Sequence, residues 1–159
     1  NLVSEIEAAL QESGLDGRRL KLEVTESMIL GNPEQTASIL MDMKRLGVAL
    51  SIDDFGTGYS SLSYLHRFPF DTIKIDKSFV TAMESRVENR EIVRTITMLA
   101  HSLGMDLVAE GVEAQRTVDI LRTLDCEYAQ GFLFAGAQDA DEATALIAAG
   151  HQFALASAV

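Results

Sequence analysis

Residues 52–62 read IDDFGTGYSSL, Ile52 through Leu62, and the fold of the whole chain can be worked out from this stretch. It continues an apolar run over residues 48–52, the pattern of a buried strand, so Asp53 and Asp54 stand where that strand ends. Adjacent carboxylates repel one another, and both stay ionised only where a cation lies between them. Oxygen-preferring ions such as Mg2+ or Mn2+ meet that need. Two such ions about 3.5–4 Å apart can activate a water and stabilise the leaving oxygen of a phosphodiester. The competing reading is an aspartate pair that caps backbone amides at a turn. Gly56 and Gly58 then permit a bend that other residues resist. The hydroxyls of Thr57, Ser60 and Ser61 can bond to carboxylates or to phosphate. A mobile loop directly after metal ligands suits a lid.

Working outward, strand-like and helical periods alternate. Leu2, Ile6 and Leu10 form a helical stripe that ends near Gly14 and Gly17. Residues 20–25 alternate around Leu22 and Val24 as a short strand. Asn32-Pro33 is a helix start, with Ile39, Met43 and Leu46 on the buried face up to Gly47. After the strand at 48–52, a short helix is expected at 60–66 and a third strand at 72–75. Ile92, Ile96, Leu99 and Leu103 share one face of a longer helix stopped by Gly104. A fourth strand follows at 107–109, then a helix containing Val118 and Leu121. A fifth strand at 127–133 and a last helix at 140–149 complete the pattern.

Such alternation predicts parallel βαβ units, arranged as a doubly wound sheet or as a barrel. No glycine-rich phosphate fingerprint follows the first strand, which weighs against a nucleotide-binding sheet. The polar residues favour the barrel. Glu23 and Glu26, Asp53 and Asp54, Lys74 and Asp76, Glu110 and Glu113, and Gln130 all fall in or at the carboxyl ends of strands. Barrel enzymes gather their catalytic groups on that face. The expected fold is therefore α/β, a (β/α)8 barrel. Such a barrel usually takes about 250 residues, and five strands in a 159-residue chain leave it about three strands short.

Composition narrows the function. The chain is 47 % hydrophobic and 23 % charged, enough for one domain with a core and no extended disorder. A formal charge of −11 argues against a nucleic-acid polymer as partner. Much of that acidity serves solubility, but an acidic site that takes a phosphate ester needs a bridging cation. The one cysteine, Cys126, excludes an internal disulfide and fits a reducing compartment. Beside Leu124 it reads as core packing in preference to a nucleophile. No run of residues is long and apolar enough for a membrane span, and no signal peptide or initiator Met opens the chain, so it is expected to be part of a longer protein. His66, His101 and His151 share no ligand spacing.

Lys74 lies inside an apolar strand, where a lysine is costly unless it meets anions. It can orient the attacking water, or serve a structural salt bridge with Asp76. Glu110 and Glu113 flank Gly111 at a strand exit, with Glu110 placed as a general base and Glu113 as a metal-supporting acid.

The strings KLEVTES (21–27), IDDFGTGYSSL, IKIDKSF (73–79), VAEGVE (108–113) and AQGF (129–132), in this order, closely resemble the EAL family of cyclic di-GMP phosphodiesterases. The resemblance runs through nearly the whole chain and weakens after about Phe134. It implies a (β/α)8-type barrel with one antiparallel strand and two Mg2+ or Mn2+ ions. The implied reaction is hydrolysis of cyclic di-GMP to pGpG in the bacterial cytoplasm. It implies Glu23 as a metal ligand, Asp53 as the bridge between metals and Asp54 as a ligand of the second. Lys74 would contact the nucleophilic water, with Glu110 as base or metal-side acid. Glu26 would anchor the loop, and Asp76, Glu113 and Gln130 would complete the inner shell. The resemblance also implies a homodimer through the region after the 53–62 loop, coupled to the lid.

The departures matter as well. The EAL signature and the upstream strand with its metal-binding Asn are absent, and Phe134-Ala135-Gly136-Ala137 replaces an Arg-Pro-like continuation. Residues 1–159 are thus expected to be the C-terminal portion of such a domain, inactive alone for want of two metal ligands. The alternatives are a catalytically incomplete module that binds cyclic di-GMP or another protein, and a different metal hydrolase on the same barrel type.

Overall fold

Side chains alternate across a strand, so each strand here acquires one apolar and one polar side. The computed structural model describes residues 1–58, 65 and 67–149. Five strands form one sheet: β1 (Lys21–Thr25), β2 (Ala49–Phe55), β3 (Thr72–Ile75), β4 (Asp106–Ala109) and β5 (Tyr128–Ala129). All four neighbouring pairs are parallel, and their spatial order follows the chain order. A doubly wound sheet changes direction at a switch point. An order that only advances is the arc of a barrel, so the architecture is an incomplete (β/α)8 barrel, as expected.

The register sorts the two faces. Val24, Ile52, Ile73 and Leu107 follow one another across the sheet, with Leu22 and Leu50 paired two residues earlier on the same face. The helices are α1 (Leu2–Ser13), α2 (Glu26–Gly31), α3 (Pro33–Arg45), α4 (Lys77–Ala82), α5 (Val87–Ser102), α6 (Gln115–Thr123) and α7 (Ala140–Ala148). The first six contribute apolar side chains to the core, and α7 buries none. Met43 from α3, Val80 from α4, Val93 from α5 and Val118 from α6 pack with Leu50, Ile73, Ile75 and Leu107 in the core. Burying each such side chain contributes about 1.5–3 kcal/mol. The opposite face carries Glu23, Ser51, Thr72 and Asp106 in one register row, with Lys74 one step further along β3.

The second strand runs longer than the apolar pattern predicts, because Asp53, Asp54 and Phe55 belong to it. Ile52 pairs with Ile73, yet Phe55 pairs with Ile75. Two residues of β2, Asp53 and Asp54, therefore oppose Lys74 alone. This is a β-bulge, and Asp54 takes up the extra residue in the left-handed region at φ 54°, a conformation that aspartate tolerates better than most residues.

Several local expectations change. The buried stripe of α1 uses Val3 where Leu2 was expected, and Leu2 stays 56 % exposed. The long helix α5 buries Val93, Ile96, Thr97 and Ala100, and Ile92 is left at the surface. Small Thr97 and Ala100 let this helix sit close to the sheet, which turns it slightly from the larger apolar stripe. Helices α2 and α4, six residues each, are too short to show periodicity and were not anticipated. The fifth strand is only Tyr128–Ala129, not 127–133. The chain turns at Gly131, where a Cβ would fall 2.2 Å from the Val112 carbonyl oxygen. Val112 instead donates to Gln130 O at 3.1 Å and accepts from Leu133 N at 3.0 Å, which draws the backbone out of the ladder. The helix expected at 60–66 lies largely outside the described residues.

Candidate active site

The polar face of the sheet converges on one lysine. Lys74 sits at the centre of the arc on β3, 5 % exposed. Its Nζ lies 2.6 Å from Glu110 Oε1, 2.7 Å from Glu23 Oε1 and 3.2 Å from Asp53 Oδ1. These partners come from β1, β2 and the exit of β4, so no short segment could assemble the group. Burial, the largest single influence on Lys74, works to lower its pKa. The carboxylates of Glu110, Glu23 and Asp53 together outweigh it and hold the ammonium above its ordinary range. The expected alternative, a salt bridge to Asp76, does not form. Asp76 caps α4, accepting from Ser78 N at 3.0 Å.

Carboxylate oxygens of Asp53, Asp54 and Glu110 lie within 4.8 Å of one another. The bulge makes this possible, since in a regular strand adjacent aspartates would face opposite sides of the sheet. Asp53 Oδ1 is buried and accepts no hydrogen bond, the Lys74 contact being an ion pair without hydrogen-bond alignment. A buried acceptor in that state is costly, and a divalent ion would relieve it. Three converging carboxylates with an unsatisfied oxygen fit a hard cation such as Mg2+ or Mn2+.

Around this group, Gln130 Nε2 donates to Glu110 Oε1 at 3.3 Å. Glu23 has its side chain 48 % exposed on the open face. Buried Glu26 accepts from Gly58 N at 3.3 Å, across the start of the glycine loop. Thr57 Oγ1 donates to Asp54 O at 2.9 Å. Ser60 lies outside the described residues. Glu113 stands apart from the carboxylate group, exposed, and lines a cavity of about 450 Å³ with Lys77, Glu110, Gln130 and Phe132. Sequence reasoning gave Phe132 and Lys77 no place here. The only signal was an aromatic residue directly after Gln130-Gly131, and Phe132 is 76 % exposed.

The remaining nucleophiles are elsewhere. Burial, reinforced by the charge of Glu127, pushes the Cys126 thiol up to about 12, which keeps it inert. His101 pairs with Glu127, just before β5 at the opposite end of the sheet. His66 and His151 lie outside the described residues. Among the described residues no helix is long and apolar enough to cross a membrane.

An arc of parallel strands with a lysine buried among carboxylates at the strand ends defines a barrel domain with an acidic, metal-capable site. The chain belongs to the EAL domain family, whose profile matches residues 1–137. It is 45 % identical over 135 residues to the cyclic di-GMP phosphodiesterase NbdA of Pseudomonas aeruginosa, covering 85 % of this chain and 17 % of that protein. The chain spans about a fifth of the length of the curated relatives it matches. The EAL domain of Mycobacterium smegmatis DcpA superposes with a TM-score of 0.88 at 41 % identity, covering 93 % of this chain and 66 % of that one. Klebsiella pneumoniae BlrP1, in a manganese and cyclic di-GMP complex, superposes with a TM-score of 0.79 at 34 % identity, covering 84 % and 34 %.

Proposed function

We propose that this chain supplies the acidic half of the active site of a metal-dependent phosphodiesterase that hydrolyses cyclic di-GMP to pGpG. The observation that carries the reading is the Lys74 ammonium held between Glu110, Glu23 and Asp53 at 2.6–3.2 Å, beside the Asp53, Asp54 and Glu110 oxygens. The names of NbdA and of the BlrP1 complex supply the substrate.

In this reading Asp53, Asp54 and Glu110 hold the divalent metal, with Glu23 closing the open side. When bound, Mg2+ or Mn2+ supplies Lewis acidity at the phosphate and lowers the pKa of water. Lys74 keeps its proton throughout, because three carboxylates hold its ammonium. It acts as a fixed donor and positive charge that orients the attacking water and offsets charge gathering on the phosphate. Glu110 Oε1 is already engaged by Lys74 and Gln130, which leaves Oε2 to take a ligand or a proton. Glu26, through Gly58 N, tethers the loop that closes over the ester. Asp76 supports the site from the α4 cap, while Glu113, Gln130 and Thr57 serve the nucleotide or the loop, a role the family resemblance also assigns to Ser60. Hydrolysis adds one water and breaks one P–O bond of the ring, leaving a terminal phosphate and a free hydroxyl.

We place residues 1–159 as the C-terminal portion of an EAL domain that works in the bacterial cytoplasm and pairs as a homodimer through the region after the 53–62 loop. Five strands are present where a closed barrel has eight, so this chain alone is expected to leave cyclic di-GMP uncleaved. The test is chromatography of cyclic di-GMP incubated with Mg2+ or Mn2+ and either this chain or an intact EAL domain carrying it. Conversion to pGpG by the intact domain supports the reading. The half-exposed Glu23 favours one alternative, a module that binds without cleaving. Binding in EDTA with no turnover by the intact domain in metal would establish it instead.

A further inference from the structure

Asp53 and Asp54 lie near the end of β2 and Glu110 just past β4, on either side of β3, yet their carboxylate oxygens come within 4.8 Å of one another. Helix α4, which follows β3 directly, touches both exits. On one side, Gly56 follows the bulge at φ 97°, and a Cβ there would lie 3.1 Å from Phe79 Cε2 and 3.7 Å from Ile96 Cδ1. On the other, Gly111 follows Glu110 at φ 67°, and a Cβ there would lie 2.5 Å from Lys77 Cβ and 3.4 Å from Lys77 Cα. Both glycines are notches into which α4 is pressed, at backbone angles that other residues adopt only with strain. The helix is itself fixed. Asp76 caps it, Val80 is fully buried, and Glu110 N donates to Ile75 O at 3.2 Å immediately before it.

We propose that α4 is the wedge that sets the spacing of the carboxylate group, and that Phe79, through Gly56, is a positioning residue for metal binding. The ring bears on the backbone just beyond Asp54. The ring carbons Cε2 and Cζ face Gly56 at the β2 exit, while Lys77 meets the β4 exit with its Cα and Cβ. Phe79 is apolar and offers no ligand atom, so its influence on the metal passes through the backbone of residues 54–56. The inference rests on the metal-holding part of the proposed function and not on the identity of the ester.

The test is Mn2+ affinity of this chain without substrate, read by electron paramagnetic resonance of the free aqua ion. Phe79→Ala is expected to weaken Mn2+ binding about tenfold or more, the scale on which supporting residues tune metal sites. Phe79→Leu, which keeps an apolar contact, is expected to lose about threefold. Met43→Ala removes a more deeply buried side chain from α3 and should change affinity less than about twofold, although it destabilises the fold. If Phe79→Ala fails to fold, Phe79→Leu decides. Unchanged affinity in the Phe79 variants, an equal loss in Met43→Ala, or no uptake of Mn2+ by the parent chain overturns the proposal. The expected Mn2+ losses in the Phe79 variants, with no pGpG from the intact domain, would sink the phosphodiesterase reading and leave this inference standing.

Discussion

Replacing Lys74 by methionine keeps most of the side-chain volume and removes the one cation among three carboxylates. The wild-type group carries one positive and three negative charges, so the variant leaves Glu23, Asp53 and Glu110 facing each other across the space where the ammonium stood. Asp53 and Glu110 have oxygens within 4.8 Å of each other, and two unit charges at that limit repel by about 3.5 kcal/mol at an effective dielectric of 20. Removing one partner of a buried ion pair costs about 3–5 kcal/mol in other proteins. Glu23 is half-exposed and can swing toward water, which relieves part of this, so we expect a loss near 3 kcal/mol at pH 8. In a domain of this size that lowers Tm by roughly 6–12 °C. The sign of the pH dependence follows from the same charges. On the alkaline side the folded Lys74 pKa is raised. The wild-type advantage is therefore complete below the unfolded lysine value, near 10.4, and fades only as pH rises through the folded one. Urea denaturation of both proteins at pH 8, in EDTA, measures the difference. A loss below about 1 kcal/mol would refute the account of Lys74 as the charge that holds the site together.

Saturating Mn2+ should stabilise the chain. At one hundred times its dissociation constant a single bound ion contributes about 2.7 kcal/mol, and thermal melts with and without EDTA should differ by roughly 5–10 °C; coincident melts would count against a metal site. Gly131→Ala drives a methyl group against the Val112 carbonyl and should cost about 3 kcal/mol or more in urea denaturation. The Cys126 thiol, pushed up to about 12 from an ordinary 9.0, should react with a thiol reagent at pH 8 about a thousandfold more slowly in the native chain than in urea. The same shift makes the unfolded chain shed this proton before the folded one. Stability is then expected to fall as pH rises from about 9 toward 12, and Cys126→Ala should flatten that slope.

Much of the fold was legible because the chain alternates short β-branched runs with helical stripes at the expected spacing, and because Thr72–Ile75 is bounded by clear punctuation. The placing of Glu23, Asp53, Lys74 and Glu110 on one face was legible for the same reason, since acids and a lysine in apolar strands have few other tolerable positions. Four things were not. Helices α2 and α4 are single turns beyond the reach of periodicity. The end of β5 depends on Gly131 meeting Val112, a contact between segments far apart in sequence. The bulge left no mark of its own, because Asp54 adopts the left-handed conformation that a glycine would usually advertise. Glu113 had the same local context as Glu110, two residues past Gly111 where Glu110 lies one before, and only the three-dimensional turn sends one to Lys74 and the other to solvent.

The extra residue in β2 also sets a phase for everything beyond it. Deleting one residue between Ile52 and Phe55 would restore a regular ladder, yet it would leave a single aspartate opposite Lys74 and halve the acids that strand brings to the group. Inserting one would send Phe55 out of the core and an acid into it. This acidic segment is thus intolerant of length changes at a place where many strand ends absorb them, so variants of this domain are expected to take insertions more readily elsewhere than between Ile52 and Gly56.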